Sequence, residues 1–421
     1  MNYYISEGDH KPVVQFFLEL LKHRICGELK EVHSPEKASA IWDSLHSKSE
    51  PIALSFYSKL SSLQGLSWKE VFKSECEIQN DRGQIDYAAT CFYMVNCLQE
   101  YLPDESELDH FGRFKFNCSY QFNYENIEID LVGELLDNFI REKGLVNASK
   151  NSRIFISHDI DTIRGALLQD GNWLFRNARF ADLFKLVFTE LFKRPTWNNI
   201  DQIWKVQDEY DLKSTFFWLT AKGKDTYGIS QADYSPSEVK IWQDQIEESE
   251  PFDNGLHKST LTTSFSDELE KSSIKFRTNR YHFLKFNPYP DWSKLSKSKI
   301  ELDASLGFSE HFGFRNSYGN VFRPYDFIDH QYYDFIEVPL HVMDMTFKNY
   351  MKISSFESGK VIIDFLEANK KNSLISLLWH NTFFSEYKFG EYLQAYREVA
   401  AYLYESDYSS VNATEILEGY E

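Results

Sequence analysis

The sequence predicts an α/β fold in which a parallel sheet or barrel carries helices on its outside. Two observations predict it. From residue 153 onward, short apolar runs (RIFIS, KSTFFWL, FIEVPLHVMD, SLISLLWHN) alternate with segments of helical periodicity. The conspicuous polar residues then fall where these runs end, and folds of this class gather their chemistry at the C-terminal ends of strands.

Composition sets the frame. The chain has 421 residues, 42% hydrophobic and 16% aromatic, with 18 Gly and 11 Pro. That is globular material, long enough for two domains. A formal net charge of -19 repels phosphate backbones and anionic membranes, which argues against nucleic acid as a partner. A neutral or cationic substrate, or an N-acetyl sugar, suits such a surface. The start, MNYYISEGDHKPVVQFFLELL, has no basic stretch followed by an apolar core and a small-residue cleavage site. No apolar run approaches the roughly 18 residues of a membrane span. Cys26, Cys76, Cys91, Cys97 and Cys118 are odd in number and lack CxxC spacing. They read as reduced thiols, and the expected location is the cytoplasm.

Residues 12–25, 86–102 and 128–143 carry helical periodicity, the second opened by Asp86 and closed before Pro103. The turn-rich VNASKNSR stretch marks a domain boundary near residue 150. Residues 1–150 form an α+β domain, and 151–421 form the α/β domain. There, RIFIS runs into His158-Asp159-Ile160-Asp161, followed by the helical WLFRNARFADLFKLVFTELF. Helices are expected at 200–210 and 235–248, the latter with Ser235 as cap, Pro236 in the first turn and Glu238 in the capping-box position.

Four polar positions stand out. Asp159 and Asp161 share one side of a pleated strand. One carboxylate of such a pair can bind a metal while the other serves as a base; alone, the pair reads first as a turn or a helix cap. His257 follows Gly255-Leu256 and reads as a ligand or as a loop histidine. Arg280 and His282 share a strand face by their period-two spacing. His380 ends the run SLLWHN, where it can shuttle protons or sit satisfied in the core.

The order of these elements is more specific than any one of them. A strand ending in Asp-x-Asp is followed by the STFF strand and then by Gly-Leu-His. An Arg-containing strand comes next, then LDASLGF with its acidic residue, and a last strand ending in His. This order resembles the NodB-like polysaccharide deacetylases (carbohydrate esterase family 4), and within them the Asp-x-Asp branch. The segments DYAATCFYMVNCLQEYL and DHFGRFKF are similar to the accessory domain that precedes the catalytic domain in a group of bacterial members.

The resemblance implies a distorted, incomplete (β/α) barrel of fewer than eight repeats behind a smaller accessory domain. It also implies a metal-dependent hydrolase, with zinc as the expected ion, removing an acyl (N-acetyl) group from a carbohydrate or glycan precursor. Asp159 takes the place of the catalytic base, Asp161 and His257 those of metal ligands, and His380 that of the acid that protonates the leaving amine. Arg280 takes the place of the arginine that orients the base. The family's second metal histidine is missing, because Lys258, Ser259, Thr260 and Leu261 follow His257. Catalytic zinc takes three protein ligands, and His282 is expected to replace the absent one. Arg315 in GFRNS and Trp379 beside His380 are expected substrate contacts. Glu337 and Asp344 are alternative partners for the second nitrogen of His380. Two other readings stay open: an amidohydrolase acting on a small cyclic or linear amide, and a non-catalytic carbohydrate-binding protein of a glycan-synthesis pathway.

Overall fold

The computed structural model describes residues 1–148 and 151–420. The chain divides into two compact units. One comprises Met1–Lys150 with Asn287–Trp292 and Phe314–Tyr333; the other comprises Asn151–Phe286, Ser293–Gly313 and Asp334–Glu421. The VNASKNSR joint includes residues 149 and 150, which lie outside the described residues. The two short segments belonging to the first unit were expected in the second.

In the first unit a small parallel sheet has Asn2–Ile5 between Lys30–Glu31 and Ala40–Trp42. The helix Lys11–Lys22 buries Val13, Val14, Phe16, Phe17, Leu20 and Leu21, the stripe that its periodicity predicts. The expected helix at 86–102 stops early. It spans Tyr87–Val95, and Cys97 then adopts a left-handed conformation (φ 51°) that no α-helix continues through. Asp86 caps it by accepting from the Ala89 N–H at 2.9 Å, and it also accepts from the Ala53 N–H and the Tyr57 hydroxyl. The helix Leu131–Glu142 lies within the expected range.

The second unit holds a sheet whose strands are β1 (Arg153–Ile160), β2 (Ser214–Leu219), β3 (Phe252–Lys258), β4 (Thr278–Tyr281), β5 (Leu302–Asp303), β6 (Ile336–Glu337), β7 (Val342–Met343), β8 (Leu374–Leu378) and β9 (Ser409–Val411). Their order is β6-β5-β4-β3-β2-β1-β8-β7, with β9 also pairing β1. Each of these pairings is parallel. No pairing joins β6 to β7 among the described residues, so the sheet is open at its ends. Every residue of β2 and β8 is buried, as in a parallel sheet covered on both faces. Gly255 in β3 is required by packing: a Cβ there would lie 2.6 Å from the Phe217 ring and from Thr278 Oγ1.

The long helical stretch after β1 is two helices, α1 (Ala166–Arg176) and α2 (Phe180–Phe192), broken where Ala178 takes φ 55°. The helix Pro236–Glu247 begins at the expected cap, with Glu238 Oε2 accepting from the Ser235 N–H at 2.7 Å. No helix among the described residues is long and apolar enough to cross a membrane.

Candidate metal centre and acid–base groups

Because the strands are parallel, their C-terminal ends meet along one edge of the sheet. Asp159 lies near the end of β1, with Asp161 just beyond it. His257 is the penultimate residue of β3, and Arg280 lies in β4. His282 follows β4 in a tight turn where Phe283 takes φ 65°. Asp344 follows β7, and His380 lies two residues past β8. Seven side chains spread over more than 200 residues of sequence therefore converge.

Asp161, His257 and His282 form a group whose candidate ligand atoms all lie within 4.8 Å of one another. His257 Nε2 is 3.2 Å from Asp161 Oδ1, and His282 Nε2 is 3.6 Å from the same oxygen. The outer nitrogens of both rings are committed elsewhere. His257 Nδ1 lies 2.9 Å from the Arg280 carbonyl oxygen, which can only accept, so Nδ1 carries the proton. His282 Nδ1 lies 3.2 Å from Gln231 Oε1, itself an acceptor. The Gln231 amide is held that way round because its Nε2 donates to the Ile229 carbonyl and to Thr260 Oγ1. When neutral, both imidazoles thus aim an Nε2 lone pair at the Asp161 carboxylate. Asp161 Oδ1 is buried and has no hydrogen-bond donor.

Three lone pairs facing one another need a positive charge among them. Protonation of the histidines supplies one, as does a divalent cation. Two imidazole nitrogens and one carboxylate oxygen, each imidazole oriented by an outer acceptor, are the donors a catalytic zinc site uses. The residues present therefore fit the ion. Burial opposes the charge on Asp161, but His282, His257 and His380 outweigh it and hold the carboxyl well below its usual range. Burial likewise opposes a proton on His257, and the Asp159 and Asp161 carboxylates raise its pKa in spite of it.

Asp159 faces the same space. Its Oδ2 lies 3.4 Å from His257 Nε2, while Arg280 Nη1 donates to its Oδ1 at 3.1 Å. Arg280 is fully buried. It also donates to Ser157 Oγ at 2.7 Å and to the Ala304 carbonyl at 2.8 Å, and it lies over the Phe217 ring at 4.6 Å. Burial disfavours its charge and lowers its pKa, which Asp159 partly restores.

His380 closes the other side. Asp344 accepts from its backbone N–H at 2.6 Å and from Nδ1 at 2.7 Å, and Nε2 points to Asp161 Oδ2 at 3.7 Å. Burial disfavours the imidazolium, but Asp344, with Asp161 and Asp159 behind it, raises the pKa to about 10. Between the two alternative partners the structure selects Asp344. Glu337 instead accepts from the Leu306 N–H.

The raised pKa has a testable consequence. His380 titrates above its ordinary 6.5 in the folded chain. The stabilisation from its proton is therefore complete below about pH 6.5 and is lost as pH rises through about 10. In metal-free Asp344→Asn, NMR titration of this imidazole is expected to give a pKa about one to three units lower, the range for losing an adjacent opposite charge. An unchanged midpoint would exclude Asp344 as the controlling group.

The two expected substrate contacts, Arg315 and Trp379, are both buried. Arg315 belongs to the first unit, where it is buried and its Nε and Nη2 donate to Glu100 Oε1 and Oε2 at 3.0 and 2.6 Å. A buried guanidinium demands such a carboxylate, which commits it to packing. Trp379 is wholly buried against Tyr396 and Phe383, so its ring offers no open face to a sugar. Gln231 and Ser157, which hold His282 and Arg280, carried no signal in the sequence beyond being polar.

Residues 36–142 match the model of a family of unknown function (DUF7033). No curated protein matches the chain. Among solved structures, the chain is similar to a protein assigned as a polysaccharide deacetylase from Mycobacterium smegmatis. The identity is 14% over 65% of this chain and 92% of that one, with a TM-score of 0.39. It is similar to PuuE allantoinase at 10% identity over 63% of this chain and 88% of that one, TM-score 0.39. It is similar to BA3943, a CE4 family pseudoenzyme from Bacillus anthracis, at 12% identity over 64% and 66% of the two chains, TM-score 0.28. None of these likenesses carries the functional reading, which rests on the side chains themselves.

Proposed function

We propose that this protein is a metal-dependent hydrolase that cleaves an acyl group, an N-acetyl group in the simplest case, from an amine carried by a carbohydrate. One observation carries the reading: two imidazoles with fixed tautomers aim bare nitrogens at Asp161, beside a second, clamped carboxylate and a carboxylate-backed imidazole. Asp161, His257 and His282 would hold the ion, and three N/O protein ligands suit zinc. A bound divalent cation there supplies Lewis acidity that polarises a carbonyl and eases the ionisation of water.

The chain's own groups divide the proton work. Asp159, fixed by Arg280, accepts a proton from the attacking water as the new C–O bond forms. His380, protonated at neutral pH and steadied by Asp344, donates its Nε2 proton to the amine nitrogen as the C–N bond breaks. The clamp on Asp159 and the carboxylate behind His380 assign base and acid to opposite partners. The motif order that resembles polysaccharide deacetylases supports a carbohydrate substrate.

The test is elemental analysis of the purified protein after reconstitution with zinc, followed by measurement of acetate release from N-acetylated hexosamine oligomers. About one ion per chain and release that stops with chelation are expected. A protein that takes up no zinc would sink the reading in favour of a binding role. Zinc uptake with activity only on small amides would move the substrate away from carbohydrate.

A further inference from the structure

The helices α1 and α2 form a hairpin directly after Asp161. Eight large apolar side chains of this hairpin are exposed: Leu167, Leu168 and Phe175 on α1, and Phe180, Phe184, Phe188, Leu191 and Phe192 on α2. Leu168, Phe184 and Phe192 are exposed by 77%, 75% and 72%. On α2 these residues recur at helical spacing (180, 184, 188, 191, 192), which gathers them on one face. Only Leu186 of α2 is buried. A patch of this kind marks a surface that something covers.

Charge identifies what covers it. The chain as a whole carries -19, yet residues 166–194 hold five cations (Arg176, Arg179, Lys185, Lys193, Arg194) against three acids, of which Asp170 is buried. Lys193 lies over the Phe188 ring at 5.9 Å, an arrangement in which a long cationic side chain follows apolar surface to a polar boundary. A cavity of about 360 Å³ at the foot of α2 is lined by Lys185, Lys193, Arg194, Thr189, Thr196 and Tyr387, with one acid, Glu386. An isologous pairing of two copies through this face would bring like charges together. A bilayer with anionic headgroups meets apolar and basic features at once.

We propose that the α1–α2 hairpin docks this protein on an anionic phospholipid surface. The phenylalanine face enters the acyl boundary, and Lys185 and Lys193 at the cavity take a phosphate headgroup, Arg194 beside them being paired with Asp201 at 2.6 Å. At physiological ionic strength charges are screened over about 8 Å, so the local basic face governs contact despite the acidic remainder. This inference is independent of the chemistry at Asp161.

The experiment is co-sedimentation of the full chain with vesicles of phosphatidylcholine mixed with phosphatidylglycerol. The same measurement is made on the exposed double variants Phe184→Ser/Phe192→Ser and Lys185→Glu/Lys193→Glu. Wild type is expected to sediment with the vesicles and to be released by added salt. Each double variant should bind at least about tenfold more weakly, the order expected when two apolar side chains or two surface cations are lost. No sedimentation of wild type, or equal sedimentation of all three proteins, would overturn the proposal. A dimer in solution that Phe184→Ser/Phe192→Ser dissociates, without vesicle binding, would overturn it in favour of a second copy as the occupant.

Discussion

Asp161→Ala is expected to weaken divalent-metal binding by at least about a hundredfold and to remove the proposed hydrolysis with it. The magnitude follows from the ligand count. Loss of an outer partner that merely orients a ligand costs ten- to hundredfold in affinity, and Asp161 is itself a candidate ligand. It is also the group toward which both His257 Nε2 and His282 Nε2 are aimed, at 3.2 and 3.6 Å. Without it the site keeps two nitrogens and too few protein donors for catalytic zinc. His282→Ala should cause a loss of the same order. Gln231→Ala, which only frees the His282 ring to turn, should cost about ten- to hundredfold. Competition with a chromophoric chelator resolves this series. Equal affinity in wild type and His282→Ala would remove His282 from the ligand set, leaving Asp161 and His257 to be completed by another group.

Much of this site was legible because its residues lie at the ends of apolar runs. RIFIS and SLLWHN mark buried strands, and parallel pairing of β1 with β8 brings their ends together. Period-two spacing with Arg280 singles out His282 in the sequence. That histidine reaches Asp161 by a different route, because β4 ends at Tyr281 and the turn through Phe283 redirects the chain. The partner of His380 was not legible, since Glu337 and Asp344 flank one apolar stretch. That stretch is two short strands, β6 pairing with β5 and β7 with β8, and only β7 delivers its acid beside His380. The placement of Arg315 is hidden from the sequence for a related reason. Nothing local in GFRNS indicates that residues 314–333 belong to the first unit, where Glu100 is waiting. Gln231 lies in an irregular stretch, and only its three hydrogen-bonding neighbours reveal its part.

Arg280→Ala is expected to destabilise the metal-free protein by about 3–5 kcal/mol, the cost of removing one partner of a buried ion pair. The size comes from what the arginine leaves behind. Its side chain is wholly buried, and Asp159 is 2% exposed. The variant therefore keeps a buried carboxylate whose remaining charged neighbour is His257. It also leaves the Ala304 carbonyl without the Arg280 donor, takes one donor from Ser157 Oγ, and opens space beneath the Phe217 ring. Lysine should rescue little, because one ammonium cannot reproduce a planar fork that serves three acceptors in different directions. Urea unfolding at neutral pH measures the loss. A loss below about 1 kcal/mol, the size of an exposed pair, would mean that Asp159 does not depend on Arg280. Base orientation in the proposed reaction would then need another source. A loss in the expected range, with metal affinity little changed, would separate the clamp on the base from the cation site that lies beside it.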